Sequence, residues 1–123
     1  MKRTVLSKST VEELVERFME NCVAQDDALL ENDSAKFNRL FRKMRAIVEE
    51  LRSRPGDQRH ALLNLYEHPN IQVRLKAVKN SLAVSSVEAM KALQAIAESQ
   101  EYPQAGEAGM SLWNLEHGVF KPA

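Results

Sequence analysis

Apolar residues recur every three or four positions along most of this chain, which is the spacing of an amphipathic α-helix. The first stripe follows Thr10 and Glu13, which have the spacing of a capping box. A second stripe starts after Asn32-Asp33-Ser34 and ends at Pro55-Gly56, a pair that favours a turn. We therefore predict two long helices. Their apolar positions are Val11, Leu14, Val15, Phe18, Met19, Cys22 and Val23, then Phe37, Leu40, Phe41, Met44, Ile47, Val48 and Leu51.

Four shorter apolar stripes follow, each bounded by residues typical of helix ends. Asp57, Asn70 and Ser85 are predicted to cap three of them, and the last opens near Pro103 and closes at Gly118. No run of alternating apolar and polar β-branched residues indicates a strand. Six helices joined by short turns predict an all-α fold with antiparallel neighbours. The apolar positions are Leu62, Leu63, Leu65 and Tyr66; Ile71, Val73, Ala77, Val78 and Leu82; Met90, Leu93, Ile96 and Ala97; Ala105, Ala108, Leu112 and Leu115.

An approximate internal repeat runs through the second half of the chain. Residues 61–82 resemble residues 92–115, in each case an apolar helix, a short turn with proline and a second helix. Such a period is typical of stacked helical hairpins. We predict three stacked antiparallel hairpins in a single domain over 9–118, with 1–8 disordered or loosely ordered and 119–123 a tail.

The stretch His68-Pro69-Asn70-Ile71-Gln72-Val73-Arg74-Leu75-Lys76-Ala77-Val78 looks like the second helix of a HEAT repeat. In that family a turn, a Val-Arg pair and an alanine three residues later recur from repeat to repeat. The resemblance implies a HEAT-like or armadillo-like α-α superhelix, in which the Arg74 guanidinium ties adjacent repeats together. The aligned position in the last hairpin is Glu107, so this arginine is not repeated there.

Nearly the whole chain, about residues 10–118, also resembles a bacterial family called domain of unknown function 2019. That resemblance implies a compact HEAT-like helical array. It brings no activity, substrate or catalytic residue with it. The segments that carry it are Phe37-Asn38-Arg39-Leu40-Phe41, Arg54-Pro55-Gly56-Asp57-Gln58-Arg59, His68-Pro69-Asn70 and Tyr102-Pro103-Gln104-Ala105-Gly106.

The composition of the chain is that expected of a soluble globular protein. Of 123 residues, 44% are apolar and 28% are charged, which is the balance of a soluble globular protein. One cysteine, Cys22, excludes an internal disulfide and a cysteine-based zinc cluster, and its place on an apolar stripe predicts a buried thiol. The basic N-terminus has no apolar run after it, so it does not predict a signal peptide. We expect a cytoplasmic protein without a membrane span.

The net charge of zero conceals a strong asymmetry along the chain. Residues 9–35 carry eight acidic side chains and one basic one, whereas residues 36–59 carry eight basic and three acidic ones. One interpretation is that the first two helices are neighbours whose opposite charges pair. The other is a basic surface for an acidic partner, either protein or nucleic acid. The basic residues are Lys36, Arg39, Arg42, Lys43, Arg45, Arg52, Arg54 and Arg59.

The residue types for catalysis are present but not in a catalytic pattern. The histidines, His60, His68 and His117, lack metal-ligand spacing. Gly106 and Gly109 lie in a helical pattern, where close packing against the preceding helix explains them better than a phosphate loop does. No nucleophile, base and orienting group come together. We predict no catalytic residue, cofactor or metal, and expect no enzyme.

We predict instead a non-catalytic protein-interaction module whose partner is another protein. Aromatic residues fall mostly in apolar stripes, so we expect no nucleic-acid or membrane partner, while a homo-oligomer is possible. The candidate interaction surface is Arg39, Arg42, Arg74, Trp113 and His117. An immunity-type protein that neutralises a bacterial toxin is an alternative. A small-ligand-binding protein or enzyme with a site between hairpins is another, and an enclosed polar pocket around Arg39, Asp57, Arg74 or Glu107 would indicate it.

Overall fold

The computed structural model describes residues 6–123, and within them every regular element is helical. The predicted all-α fold is therefore confirmed. The α-helices are α1 Val11–Leu30, α2 Ser34–Ser53, α3 Ile71–Lys79, α4 Ser86–Ala97 and α5 Gln104–Glu116, and two 3₁₀ helices span Leu6–Lys8 and Gln58–Leu65.

The segment predicted as the third α-helix forms the 3₁₀ helix Gln58–Leu65. Asp57, the expected cap, has φ +51° rather than the extended conformation of a helix N-cap. Its carboxylate still accepts a hydrogen bond from the backbone amide of Arg59 at 3.3 Å, as a cap would, and it also accepts two side-chain hydrogen bonds from Arg59, at 2.9 and 2.6 Å.

The chain divides into two compact units, Met1–Ala61 and Leu62–Ala123, and each is described by itself. In the first unit, α1 packs against α2. The predicted capping box of Thr10 and Glu13 is present at the start of α1. Asn21 donates to the Leu40 carbonyl at 2.9 Å, and Gln25 donates to Asn21 at 2.8 Å. The apolar core consists of Leu14, Phe18, Cys22, Ala28, Met44, Ile47, Val48 and Leu51.

In the second unit, α4 packs against α3 and α5, and α3 also contacts α5. A buried hydrogen bond joins Gln104 to Gln72 at 2.9 Å, and the Tyr66 and Ser81 hydroxyl groups bond to each other. Burial raises the pKa of Tyr66, although the hydrogen bond to Ser81 opposes this. The apolar cluster of the unit is Leu75, Val78, Leu82, Ala89, Leu93, Ile96 and Ala108.

Hydrogen bonds hold the described segments before α1 and after α5. Of the predicted loose N-terminus, residues 1–5 lie outside the described residues. Arg54 donates to the carbonyls of Leu6 and Ser9 at 3.1 and 2.8 Å, next to the first 3₁₀ helix. Beyond α5, the amides of Val119 and Phe120 donate to the Asn114 carbonyl. No helix among residues 6–123 is long and apolar enough to cross a membrane.

Candidate functional site

A patch of unpaired positive charge lies on α2. Arg39, Arg42, Lys43 and Arg45 are exposed, and none makes an ion pair within residues 6–123. We call these four residues the basic face. Because a helix turns by about 100° per residue, Arg39, Arg42 and Lys43 share one side and Arg45 flanks them. The predicted surface contained Arg39 and Arg42, and the same helical spacing indicates Lys43 and Arg45 too.

The acidic residues of α1 do not neutralise the basic face. Glu12, Glu16, Glu20 and Asp27 are exposed and form no salt bridge in the part of the chain that the structure describes. An ion pair that does join the two charged segments, Lys36 with Glu31 at 3.0 Å, lies at the turn between the helices. The helices pack through apolar side chains and carry their charges outward. This favours a surface that is free to meet a partner.

Arg74 does not belong to a free surface. Its guanidinium donates to the carbonyls of His68 and Pro69 at 2.8 and 3.1 Å, in the turn before α3. It also lies 3.6 Å from the Glu101 carboxylate. The side chain therefore braces the start of α3 against the segment before α5. The Arg74 guanidinium is therefore engaged in contacts within the second unit.

Trp113 and His117 are brought together on an exposed side of α5. Their rings stack with centroids 3.9 Å apart, and His117 Nδ1 lies 2.8 Å from the Trp113 carbonyl. Met110 is exposed one turn before Trp113, and Tyr102 packs beside Gly106 at the start of the helix. We call Tyr102, Met110, Trp113 and His117 the aromatic face. The predicted surface contained Trp113 and His117, and the same helical spacing indicates Met110 too, whereas Tyr102 lies before the helix begins.

The two glycines of α5 do not pack against the preceding helix as predicted. A side-chain carbon added at Gly109 would meet nothing within 4 Å, and one at Gly106 would meet only the Tyr102 ring, at 3.8 Å. Both glycines border the aromatic face on the outer side of α5. Their presence is therefore not explained by close packing inside the second unit.

A buried ionic cluster joins α3 to α5. Glu107 accepts hydrogen bonds from Lys76 and Lys79, both at 2.9 Å, and Lys76 is only 6% exposed. Burial acts to raise the pKa of Glu107, but the two lysine ammonium groups outweigh it and the net pKa is lowered. This cluster fixes how the two helices meet.

The sequence analysis named Arg39, Asp57, Arg74 and Glu107 as residues around which an enclosed polar pocket would indicate a ligand site. The structure places each of them in a different setting. Arg39 is exposed, Arg74 and Glu107 are engaged as described, and the hydrogen bond from Arg59 lowers the pKa of Asp57. A cavity of about 150 Å³ lies at the turn between α1 and α2; Asn32, Ser34 and Phe37 are among its lining residues, and none of the four groups is.

The described residues hold no cluster that suggests a bound ion. No group of three or more His, Cys, Asp or Glu side chains between residues 6 and 123 is arranged to hold a metal. Every buried side-chain polar atom in that range has a hydrogen-bond partner, and Cys22 is fully buried. Exposed polar and aromatic chemistry in residues 6–123 includes the acidic side chains of α1, the basic face and the aromatic face.

Comparison with known proteins gives one family and one closely similar structure. The family model described as domain of unknown function (DUF2019) matches residues 12–116. The crystal structure of the protein RPA1889 from Rhodopseudomonas palustris CGA009 is 51% identical to this chain, with a TM-score of 0.95. The match covers 98% of this chain and 100% of that one. No curated protein matches the chain significantly.

Proposed function

Because this chain belongs to the family described as domain of unknown function (DUF2019), whose description carries no activity, we propose a function from the exposed chemistry. The protein is a non-catalytic interaction module of the cytoplasm, and its basic face binds an acidic segment of another protein. The HEAT-like interpretation is part of this proposal, since HEAT-like arrays commonly present helix faces to partners.

The observation that carries the proposal is the set of four exposed cations without an ion pair, on one helix. By contrast, several other cations of the described residues form ion pairs within the protein: Arg54 with Glu50 at 2.7 Å, Arg59 with Asp57 and Lys76 with Glu107. A concentrated positive patch attracts a complementary acidic surface and speeds the encounter with it. Exposed charges are screened beyond about 10 Å at 0.1 M salt, so this binding depends on ionic strength.

The test is a matched pair of charge-reversal variants. R39E/R42E removes the centre of the basic face, whereas K8E/K91E makes the same change in net charge at exposed lysines outside it. Each purified protein is used as bait in a nuclease-treated lysate of the source organism. We expect a protein partner with an acidic segment to be retained by the wild type and by K8E/K91E and lost by R39E/R42E.

Two outcomes contradict the proposal. If R39E/R42E retains the same proteins as the wild type, the basic face is not the binding surface. If the wild type retains no protein from the nuclease-treated lysate, and a labelled oligonucleotide is shifted by the wild type but not by R39E/R42E, the partner is nucleic acid. Circular dichroism of both variants shows whether their helices are intact.

A further inference from the structure

The outer side of α5 carries several large apolar side chains that are exposed. Tyr102 is 72% exposed, Met110 61% and Trp113 52%, while Ala105 and Ala108 on the opposite side are buried in the core. Val119 and Phe120 extend the exposed apolar surface just beyond the helix. An exposed patch of this kind on a small protein indicates an interaction surface rather than ordinary solvent-facing surface.

The glycines on this side of α5 indicate a partner that comes close to the helix backbone. Glycine inside a helix costs up to about 1 kcal/mol relative to alanine. The second unit gains no contact in return, because the space outside Gly109 is open. A neighbouring helix that crosses at Gly106 and Gly109 would use that space, since small residues let two backbones approach.

We propose that the partner is a second copy of this chain, which packs its α5 antiparallel to the first across a two-fold axis. An axis that passes between Gly109 and Met110 sets large residues against small ones. It places Gly106 opposite Trp113 of the second copy, Gly109 opposite Met110, and Tyr102 beside His117. A two-fold interface needs such self-complementarity, in which each pairing occurs twice.

The absence of charge on the aromatic face is compatible with a second copy as the partner. The short length of α5 limits the strength of the dimer. No carboxylate, guanidinium or ammonium group belongs to the aromatic face, so two copies meet there without opposing like charges. A helix of 13 residues is only about 20 Å long. The contact therefore falls short of the roughly 800 Å² per partner of a standard interface, and the dimer is weak and concentration-dependent.

The experiment exploits the position of Met110 beside the two-fold axis. M110E and M110K each set two like charges close together, so each weakens self-association at least about tenfold. An equimolar mixture of M110E and M110K restores it, because opposite charges then face each other. Sedimentation velocity measures association, and the emission of Trp113, the single tryptophan, reports whether the face is covered. V87E and V87K, at an exposed site on α4, serve as controls and leave self-association unchanged alone and mixed.

Three results would overturn the proposal. The first is a wild type that stays monomeric up to about 1 mM, a concentration at which even millimolar affinity is visible. Alternatively, M110E and M110K associate as the wild type does, or their mixture fails to recover association. Thermal melts confirm that the variants fold. The proposed binding of an acidic partner is tested independently of this dimer. R39E/R42E changes the basic face and is expected to leave self-association through α5 unchanged.

Discussion

At the scale of single residues, Glu107 is the group on which the contact between α3 and α5 depends most. Lys76 is buried and its ammonium group faces this carboxylate, so E107Q removes the negative charge that Glu107 supplies to a buried positive one. Loss of one partner of a buried ion pair costs several kcal/mol, and the 38% exposure of the Glu107 side chain reduces that cost. We expect E107Q to lower the free energy of unfolding by about 1–3 kcal/mol at pH 7.

The pH dependence of this effect follows from the lowered pKa of Glu107. A carboxyl group whose pKa is lower in the folded state stabilises the protein fully above its ordinary pKa of 4.5. That stabilisation is lost as the pH falls through the lowered value. The difference between wild type and E107Q in urea unfolding should therefore be full at pH 7 and shrink towards pH 3. As a control, E49Q removes an exposed pair with Arg52 and should change stability by less than about 0.5 kcal/mol. An equal loss for both variants would contradict this role of Glu107.

At the scale of elements, α5 carries two glycines that weaken the helix to which they belong. Gly109 has room for a side-chain carbon, so G109A should raise the free energy of unfolding by about 0.5–1 kcal/mol and the melting temperature by about 2–5 °C. The same substitution should weaken self-association, because the methyl group separates the two crossing helices. Gly56 has φ +79°, so G56A should destabilise instead. Thermal melts of dilute protein measure the stability, and sedimentation at high concentration measures self-association. A G109A variant that self-associates more strongly than the wild type would contradict the proposed crossing of two α5 helices at this glycine.

The helices could be predicted from the sequence where local signals agree with one another. The Thr10-Glu13 box, the Asn70 cap and the turn at Asn32-Asp33 act within a few residues, and α1 and α3 begin where those signals lie. The 3₁₀ helix at Gln58–Leu65 could not be predicted, because it depends on the conformation of Asp57 and its bonds to Arg59.

The candidate surfaces could be predicted only in part, for a similar reason. Helical spacing indicates that Arg39 and Arg42 share a side, and that Trp113 and His117 do. Whether a charged side chain forms an ion pair or a hydrogen bond depends on contacts between elements. Helical spacing alone does not reveal those contacts. Arg74 was grouped with the free cations, yet it is held by two carbonyls of its own turn. The open space outside Gly109 is likewise a property of the folded second unit.

At the scale of the whole molecule, a net charge of zero is the sum of an acidic α1, a basic α2 and further charges of both signs, some of which form ion pairs. The structure therefore presents two surfaces of different physical character in different units. The basic face attracts through long-range charge, which salt screens. The aromatic face acts through burial of apolar area, which salt does not weaken. A rise in salt concentration should therefore weaken the proposed binding at the basic face and leave the proposed contact through the aromatic face largely unchanged.

We expect NaCl and substitution to act selectively on these surfaces. Raising NaCl from about 50 to 500 mM should weaken binding of a labelled Glu/Asp-rich peptide at least about tenfold and alter self-association less than about twofold. R39E/R42E should remove peptide binding and keep self-association, whereas M110E should do the reverse. Fluorescence anisotropy follows the peptide and sedimentation velocity follows the dimer. If either variant removed both activities while its melt stayed cooperative, the two faces would act as one surface, and the assignment of an acidic partner to α2 and a second copy to α5 would be wrong.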